Sequence, residues 1–209
     1  VVDSSENNCE NTFAYLADAG SYGIVVYSFK ENKSWRIEHN FFHMDPFVGA
    51  FRVSDVLFTW RDGIFGMALG HLQDDFQTRD IYFHTLIGSK EFSVSNRILQ
   101  NESYSSSTDP VYEEFKIIGD RGPNGHSTTE VFDPNTNVIY FTQVSKNDSD
   151  PIKMVMPVDI KLDDDGFIWL ISNRMPQFIL KKLNYEDFNY RVLSGKASDL
   201  IQDTVCATN

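Results

Sequence analysis

The sequence has no apolar segment long enough to cross a lipid bilayer. A spanning helix needs roughly 18 to 20 consecutive apolar residues, but Asp, Lys or Gly interrupts the apolar runs of this chain every few positions. The first residues, VVDSSENNCEN, also lack the basic region, apolar region and cleavage site of a secretory signal. We therefore expect no membrane anchor, and a secreted protein would be a mature form or a fragment.

Positive charge is scarce. The 209 residues include 18 Lys and Arg against 30 Asp and Glu, which gives a formal net charge of -12. Such a surface repels phosphate backbones and anionic lipid headgroups. The composition argues against nucleic acid and membrane surfaces as partners and favours a cationic one.

Cysteine is scarce as well, with Cys9 near the start and Cys206 near the end. The two could pair in an oxidising compartment, or their partners could lie outside this chain, and the sequence leaves the pairing open. Three N-x-[ST] triplets begin at Asn32, Asn101 and Asn147, each in a polar stretch where a glycan would lie on the surface. They give weak support for secretion.

Hydrophobic residues make up 41% of the chain and aromatic residues 14%, which is enough for a sizeable core. Runs of Ile, Val, Tyr, Phe and Trp repeatedly lie next to Gly, Asn or Asp turns, as in FAYLADAGSYGIVVYSFKENKSWRI, and this pattern predicts β-hairpins. Helical patterns are confined to NYEDFNYRVL and KASDLIQDT. The DDDGF stretch before GFIWLIS is typical of a hairpin turn and lacks the ligand spacing of a calcium loop.

The strands fall into a loose repeat over residues 1–50, 51–115, 116–150 and 151–206, each with an apolar strand, a polar turn and an aromatic strand. Propeller blades have this pattern because each small sheet buries both faces against its neighbours. We expect an all-β fold with a single β-propeller domain over residues 1–209. About four blades is the low end of the propeller range, so we also expect the domain to be incomplete at the N-terminus.

Few side chains suggest chemistry. Asp62, in DGIFGMAL, would reach a ligand ammonium if it lay at the mouth of a central channel, although Asp-Gly is more often a simple turn. His39 and His43 are four residues apart, which suits a metal only on a helix, and the remaining histidines are scattered. We therefore predict no metal and no cofactor.

Several motifs together resemble the yellow and major royal jelly protein family of insects: HNFFHMDP, DGIFGMAL, RDIYFH, RGPNGHS, WLISNRMP and DFNYRVLSGKASDLIQDTVC. They occur in the family's order over nearly the whole chain. The resemblance implies a secreted six-bladed β-propeller, of which this chain would cover roughly the C-terminal four blades. Members of the family are associated with cuticle and melanin pigmentation, with nutrition in royal jelly, and with binding of biogenic amines.

The resemblance also implies site residues. In amine-binding relatives a Thr in the strand matching GHSTTE and an Asn near VSKN contact the ligand, and Thr129 and Asn147 are the nearest matches. Asn147 also begins a glycosylation triplet, so it cannot serve both roles. A segment with a Gly-Cys-Trp-Asn motif, usual in the family after FTQVSKN, is missing here, which puts the partner of Cys206 in doubt.

Three functional hypotheses remain. The first is a binding module for a small aromatic amine, held in the channel by carboxylate, hydroxyl and aromatic groups that include Asp62. The second is an enzyme of dopachrome conversion, with His126 and Asp62 as proton-transfer candidates. The third is a structural or storage glycoprotein of the extracellular space. We favour a non-enzymatic role.

Overall fold

The computed structural model describes residues 1–5, 8–54, 56–105, 111–145, 150 and 152–207. Strands dominate these residues, so the prediction of an all-β chain is confirmed at this level. None of the helices in the described part is long and apolar enough to span a membrane. The α-helices are α1 (Asn96–Leu99), α2 (Met175–Leu180) and α3 (Ala197–Leu200).

The first sheet is an antiparallel meander in chain order, made of β1 (Val2–Ser5), β2 (Asn8–Asp18), β3 (Gly23–Ser28) and β4 (Lys33–Glu38). Alternate residues of β3, such as Ile24 and Val26, are buried as the period of a strand requires. Asn32 adopts the left-handed conformation that closes the turn before β4. The hairpin predicted from this aromatic stretch is confirmed between β2 and β3, and β3 forms a second hairpin with β4.

A short hairpin of β5 (Ala50–Val53) and β6 (Val56–Thr59) precedes the second sheet. That sheet contains β7 (Ile64–Leu69), β8 (Asp80–Thr85), β9 (Lys90–Ser95) and β10 (Lys116–Asp120), again in chain order. The repeat boundary predicted at residue 116 is wrong, because β10 pairs with β9 and closes the second sheet.

The third sheet has two described strands, β11 (Glu130–Asp133) and β12 (Val138–Phe141). The fourth contains β13 (Met156–Leu162), β14 (Phe167–Asn173) and β15 (Tyr190–Lys196). The DDDGF stretch is the predicted hairpin turn between β13 and β14, with Gly166 at φ +79°. The helical prediction for NYEDFNYRVL is wrong, because its last four residues begin β15 and pair with β14.

One strand from each sheet lies against a strand of the next sheet: β2 contacts β7, β7 contacts β11, and β11 contacts β13. Apolar clusters fill the spaces between the sheets. The largest joins the first and second sheets through residues such as Ile24, Ile37 and Phe83, and a smaller one joins the third and fourth through Val131 and Ile160. Each inner strand therefore has a neighbouring sheet on at least one side.

Asp3 is a buried carboxylate that ties the first sheet to the second. Its Oδ2 accepts hydrogen bonds from the Tyr15 hydroxyl (3.1 Å) and from Nδ2 of Asn96 (3.0 Å), and its Oδ1 lies 3.1 Å from Nε of Arg79. Burial and the nearby Asp3 carboxylate raise the pKa of Tyr15. The hydroxyl therefore stays protonated and remains a donor to Asp3.

His39 lies in the aromatic part of the largest cluster. Its Nδ1 accepts a hydrogen bond from the amide of Phe41 (3.1 Å), and its ring stacks on Phe115 with centroids 4.0 Å apart. The buried Nε2 has no hydrogen-bond partner. Burial among these rings disfavours the imidazolium and lowers the pKa of His39 to about 4.

This environment predicts a loss of stability in mild acid. Unfolded His39 accepts a proton near pH 6.5, whereas folded His39 resists protonation until about pH 4. The contribution of the neutral ring is complete above pH 6.5 and is lost as the pH falls to 4. We expect His39→Phe to remove on the order of 2 kcal/mol of the pH dependence of the unfolding free energy. Urea denaturation of both proteins at several pH values between 4 and 7 measures this difference. If the unfolding free energies of the wild type and of His39→Phe depend on pH in the same way, His39 is not the group responsible.

Candidate functional site

The strands β2, β7, β11 and β13, one from each sheet, border an inner pocket of about 330 Å³. Its lining is mixed. Tyr15, Phe65 and Met67 contribute rings and a thioether, and Thr129, Asp159 and Lys161 contribute polar groups. Because the residues come from β2, β7, β13 and the segment entering β11, the pocket depends on the packing of all four sheets.

Asp159 and Lys161 bring opposite charges to the pocket. Nζ of Lys161 donates to Oδ1 of Asp159 at 2.9 Å, and both side chains reach solvent. An exposed ion pair of this kind contributes little to stability, about 0 to 1 kcal/mol. The ammonium of a ligand could therefore replace Lys161 as the partner of the Asp159 carboxylate.

Thr129 lines this pocket, where the resemblance to amine-binding relatives led us to expect a ligand contact. Its neighbour Thr128 is engaged in the framework, since Oγ1 of Thr128 lies 2.8 Å from Oγ1 of Thr142 and donates to the carbonyl of Pro157 at 2.6 Å. Asn147, the other expected contact, lies outside the described residues.

Asp62 is not among the residues that line the inner pocket. It is half-buried just before β7, and its carboxylate accepts a hydrogen bond from the indole N–H of Trp60. The structure therefore places Asp62 in a local contact with Trp60 rather than beside Thr129.

His126 is buried, with both ring nitrogens in hydrogen bonds. Its Nε2 lies 2.7 Å from the carbonyl oxygen of Val48, and its Nδ1 lies 2.8 Å from Oγ of Ser145. The carbonyl can only accept, so Nε2 carries the proton and Nδ1 accepts from the serine. Burial lowers the pKa of His126, which favours this neutral form. The ring has no nitrogen left for proton transfer to a ligand.

The remaining predicted residues lie on the surface. Asn32 and Asn101 are exposed, and Oδ1 of Asn101 accepts a hydrogen bond from Oγ of Ser103, the third residue of its triplet, at 2.8 Å. Cys9 and Cys206 are exposed and carry no disulfide, so the bridge between them is not formed. His43 is also exposed and stacks on Tyr22, away from the buried His39.

A buried charged cluster, which the sequence analysis did not predict, joins the second and third sheets. It consists of His84 on β8, Glu91 on β9, Arg121 directly after β10, and Glu130 on β11. Nδ1 of His84 lies 3.2 Å from Oε2 of Glu91 and 3.0 Å from Oε2 of Glu130. Nη1 of Arg121 lies 2.5 Å from Oε2 of Glu91. The side chains of His84 and Glu130 have no solvent exposure.

The charges in this cluster shift one another's pKa values. Burial opposes protonation of His84, but the carboxylates of Glu130 and Glu91 outweigh it and raise its pKa to about 9. Burial and the Glu130 charge raise the pKa of Glu91 to about 8. Burial also opposes ionisation of Glu130, yet the His84 charge lowers its pKa. At neutral pH the cluster therefore holds an imidazolium beside an ionised Glu130.

The same residues are of metal-binding types. One ligand atom from each of His84, Glu91 and Glu130 can be chosen so that all three lie within 4.8 Å of one another. Sequence reasoning treated His84 as one of several scattered histidines, because Glu91 and Glu130 lie 7 and 46 residues away from it. KEFSVS gave no local signal, because Glu91 alternates with Ser93 and Ser95 on the polar positions of the strand and matches an ordinary solvent-facing residue.

Comparison of the sequence with known proteins identifies similarity to one protein family. The sequence model described as major royal jelly protein matches residues 1–149 and 148–206. The two matches overlap at residues 148–149. Protein yellow of Drosophila melanogaster is 36% identical over an alignment of 220 positions, which covers 95% of this chain and 40% of the relative. Protein yellow of Drosophila erecta is 35% identical with the same coverage. The chain thus spans about 40% of the length of these curated relatives.

Gly66 on β7 lies opposite His84, and a Cβ atom at this position would overlap the imidazole ring. The ring is held by two carboxylates and cannot move away easily. We expect Gly66→Ala to lower the unfolding free energy by about 2 kcal/mol or more. Chemical denaturation measures the change. Gly20→Ala, in a turn with no atom within 4 Å of the added methyl, is the control, and equal effects of the two substitutions would contradict the packing described for His84.

Proposed function

Because the chain belongs to the major royal jelly protein family, we propose that it forms part of a secreted β-propeller that binds a small cationic aromatic amine in its inner pocket. The observation that carries this proposal is the composition of the pocket. It combines a carboxylate, a hydroxyl-bearing residue and the exposed ring of Phe65 at the point where one strand from each of the four sheets meets the others.

The proposed architecture is a single six-bladed propeller domain to which this chain contributes roughly four neighbouring blades. The sheets follow one another in chain order, and the strands β2, β7, β11 and β13, one from each sheet, contact one another in the same order. The outermost sheet leaves an apolar face exposed, with Trp169, Ile171 and Val192 on it. In the proposed ring, this face packs against a further blade encoded in the longer sequence that the relatives have.

An aromatic amine fits the pocket in three ways. The Asp159 carboxylate would accept a charge-assisted hydrogen bond from the ammonium group. Phe65 offers an exposed ring surface near the same space, and a cation held against such a ring gains about 0.5 to 2 kcal/mol. The net charge of -12 attracts a cation towards the protein.

Lys161 competes with a ligand for the Asp159 carboxylate. Nζ of Lys161 lies 2.9 Å from Oδ1 of Asp159, so a cationic ligand would have to displace the lysine ammonium. Because Lys161 is anchored only at an exposed ion pair, the displacement costs little. Lys161 would thus weaken the affinity for amines without abolishing binding.

Binding is preferred to dopachrome conversion because His126 has both nitrogens engaged and Asp62 does not border the pocket. The name of the relatives, protein yellow, suggests colour, and we propose a role in pigmentation on that basis alone. Secretion with glycans at Asn32 and Asn101 forms part of the same proposal, since both side chains are exposed.

Isothermal calorimetry of the purified chain with serotonin and dopamine tests the proposal. We expect saturable binding by the wild-type protein and about tenfold weaker binding by Asp159→Asn, which loses a charge-assisted contact of about 1.4 kcal/mol. Lys161→Gln should bind more tightly than wild type, because it frees the carboxylate.

Asp164→Asn is the matched control, since Asp164 is an exposed residue of the turn that follows β13. It should bind both amines as the wild type does. The absence of heat with both amines at high micromolar concentration, or equal affinities of Asp159→Asn and Asp164→Asn, would contradict the proposed pocket.

A further inference from the structure

We propose that His84, Glu91 and Glu130 form a binding site for one divalent transition-metal ion between the second and third sheets. The ion would be of the Mn²⁺, Co²⁺ or Zn²⁺ class. The site is separate from the Asp159 carboxylate of the proposed amine pocket, and the inference does not depend on amine binding.

The spacing of the side-chain atoms fits a shared ion. Imidazole nitrogen and carboxylate oxygen bind such metals at about 2.0 to 2.2 Å, so two ligands at tetrahedral or right angles lie about 3.0 to 3.4 Å apart. Nδ1 of His84 lies 3.0 Å from Oε2 of Glu130 and 3.2 Å from Oε2 of Glu91. Small movements would bring all three atoms onto one ion.

The hydrogen bonds within the cluster leave acceptors unfilled. Nδ1 of His84 carries at most one proton, yet it faces two carboxylate oxygens. Oε1 of Glu91 and Oε1 of Glu130 are both buried, and no other side chain among the described residues donates to them. Buried carboxylate oxygens without donors are costly and uncommon, and the raised pKa of Glu91 means that a proton on this carboxyl fills the gap at neutral pH. A cation among the three side chains would replace that proton.

The surroundings would hold the ligands in place. Arg121 donates from Nη1 to Oε2 of Glu91 and from Nε to the carbonyl of Gly125, which fixes the carboxylate from outside the site. The imidazole of His84 packs so close to Gly66 that a Cβ atom at this position would overlap the ring. Such outer contacts orient the ligands of known metal sites.

Ligand chemistry defines the class of ion. Glu130 lies beside the inner pocket, but its side chain has no solvent exposure, so an ion would enter through a local opening of the packed sheets. One nitrogen and two carboxylate oxygens suit Mn²⁺, Co²⁺ and Zn²⁺, whereas the absence of sulfur in the set disfavours Cu(I). Since the ligands bind in their deprotonated forms, metal uptake should release protons.

Cobalt and zinc titration of the full chain, after dialysis against a chelator, tests the proposal. Cys9 and Cys206 are exposed and should first be alkylated so that thiolates do not bind the added metal. Calorimetry should give one equivalent bound, and Co²⁺ should produce weak visible bands without a thiolate charge-transfer band. Saturating Zn²⁺ should also raise Tm.

Glu130→Gln keeps the shape of the side chain and removes its charge, and should weaken binding at least tenfold. Glu102→Gln, which alters an exposed ion pair with Lys33, should bind as the wild type does.

Circular dichroism checks that each variant is folded, and Glu91→Gln replaces Glu130→Gln if the latter does not fold. Absence of Co²⁺ bands and of Zn²⁺ heat in the wild type at millimolar metal, or unchanged affinity in the folded Glu130→Gln or Glu91→Gln variant, would overturn the proposal. The imidazolium of His84 and the guanidinium of Arg121 would then balance the carboxylates without a metal.

Discussion

The structure depends on small antiparallel sheets that pack face to face in chain order. A sheet placed between two neighbours has no face left for solvent, so its strands carry aromatic or apolar residues on both sides. On β8, Phe83 packs against Phe42 on one face, and Tyr82 packs against Phe132 on the other. This requirement accounts for the high aromatic content, because rings fill the wedge-shaped space between twisted sheets. The exposed Trp169 and Ile171 of the last sheet show what remains when no neighbour is present.

The same packing buries charge. At the first junction Asp3 meets Arg79, and at the second His84 meets Glu91, Glu130 and Arg121. A charge removed from water is costly unless it is paired, so each group fixes the position of its partner on the next sheet. We infer that these contacts set the register between neighbouring sheets more precisely than apolar packing can. The inner pocket depends on that register, since four strands supply its lining.

Local features of the fold were predictable from the sequence. Turn residues beside aromatic runs predicted the hairpins around β3 and between β13 and β14, because such turns are determined by a few adjacent residues. The position of β10 and the strand β15 were not predicted. The polar segment before β15 favoured a helical turn, and only pairing with β14 makes it extended. Tertiary contacts override weak local preference in such cases.

The candidate site was less predictable than the fold. Thr129 was predicted from the resemblance, but Asp159 was not, because a single Asp in PVDIKL, shortly before the acidic turn DDDG, is hard to distinguish from the turn residues that follow it. The buried cluster was missed since its members come from three strands and a loop, and no sequence spacing links them. His126 was a candidate by residue type, and only the structure places both of its nitrogens in framework hydrogen bonds.

The central claim is that buried charges on facing sheets hold the sheets in register. A double-mutant cycle between His84→Gln on β8 and Glu130→Gln on β11, measured by urea denaturation in the presence of a chelator, tests it most directly. The account predicts a coupling free energy above about 1 kcal/mol. Additive effects, within about 0.5 kcal/mol, would show that the two side chains do not interact and would contradict the account.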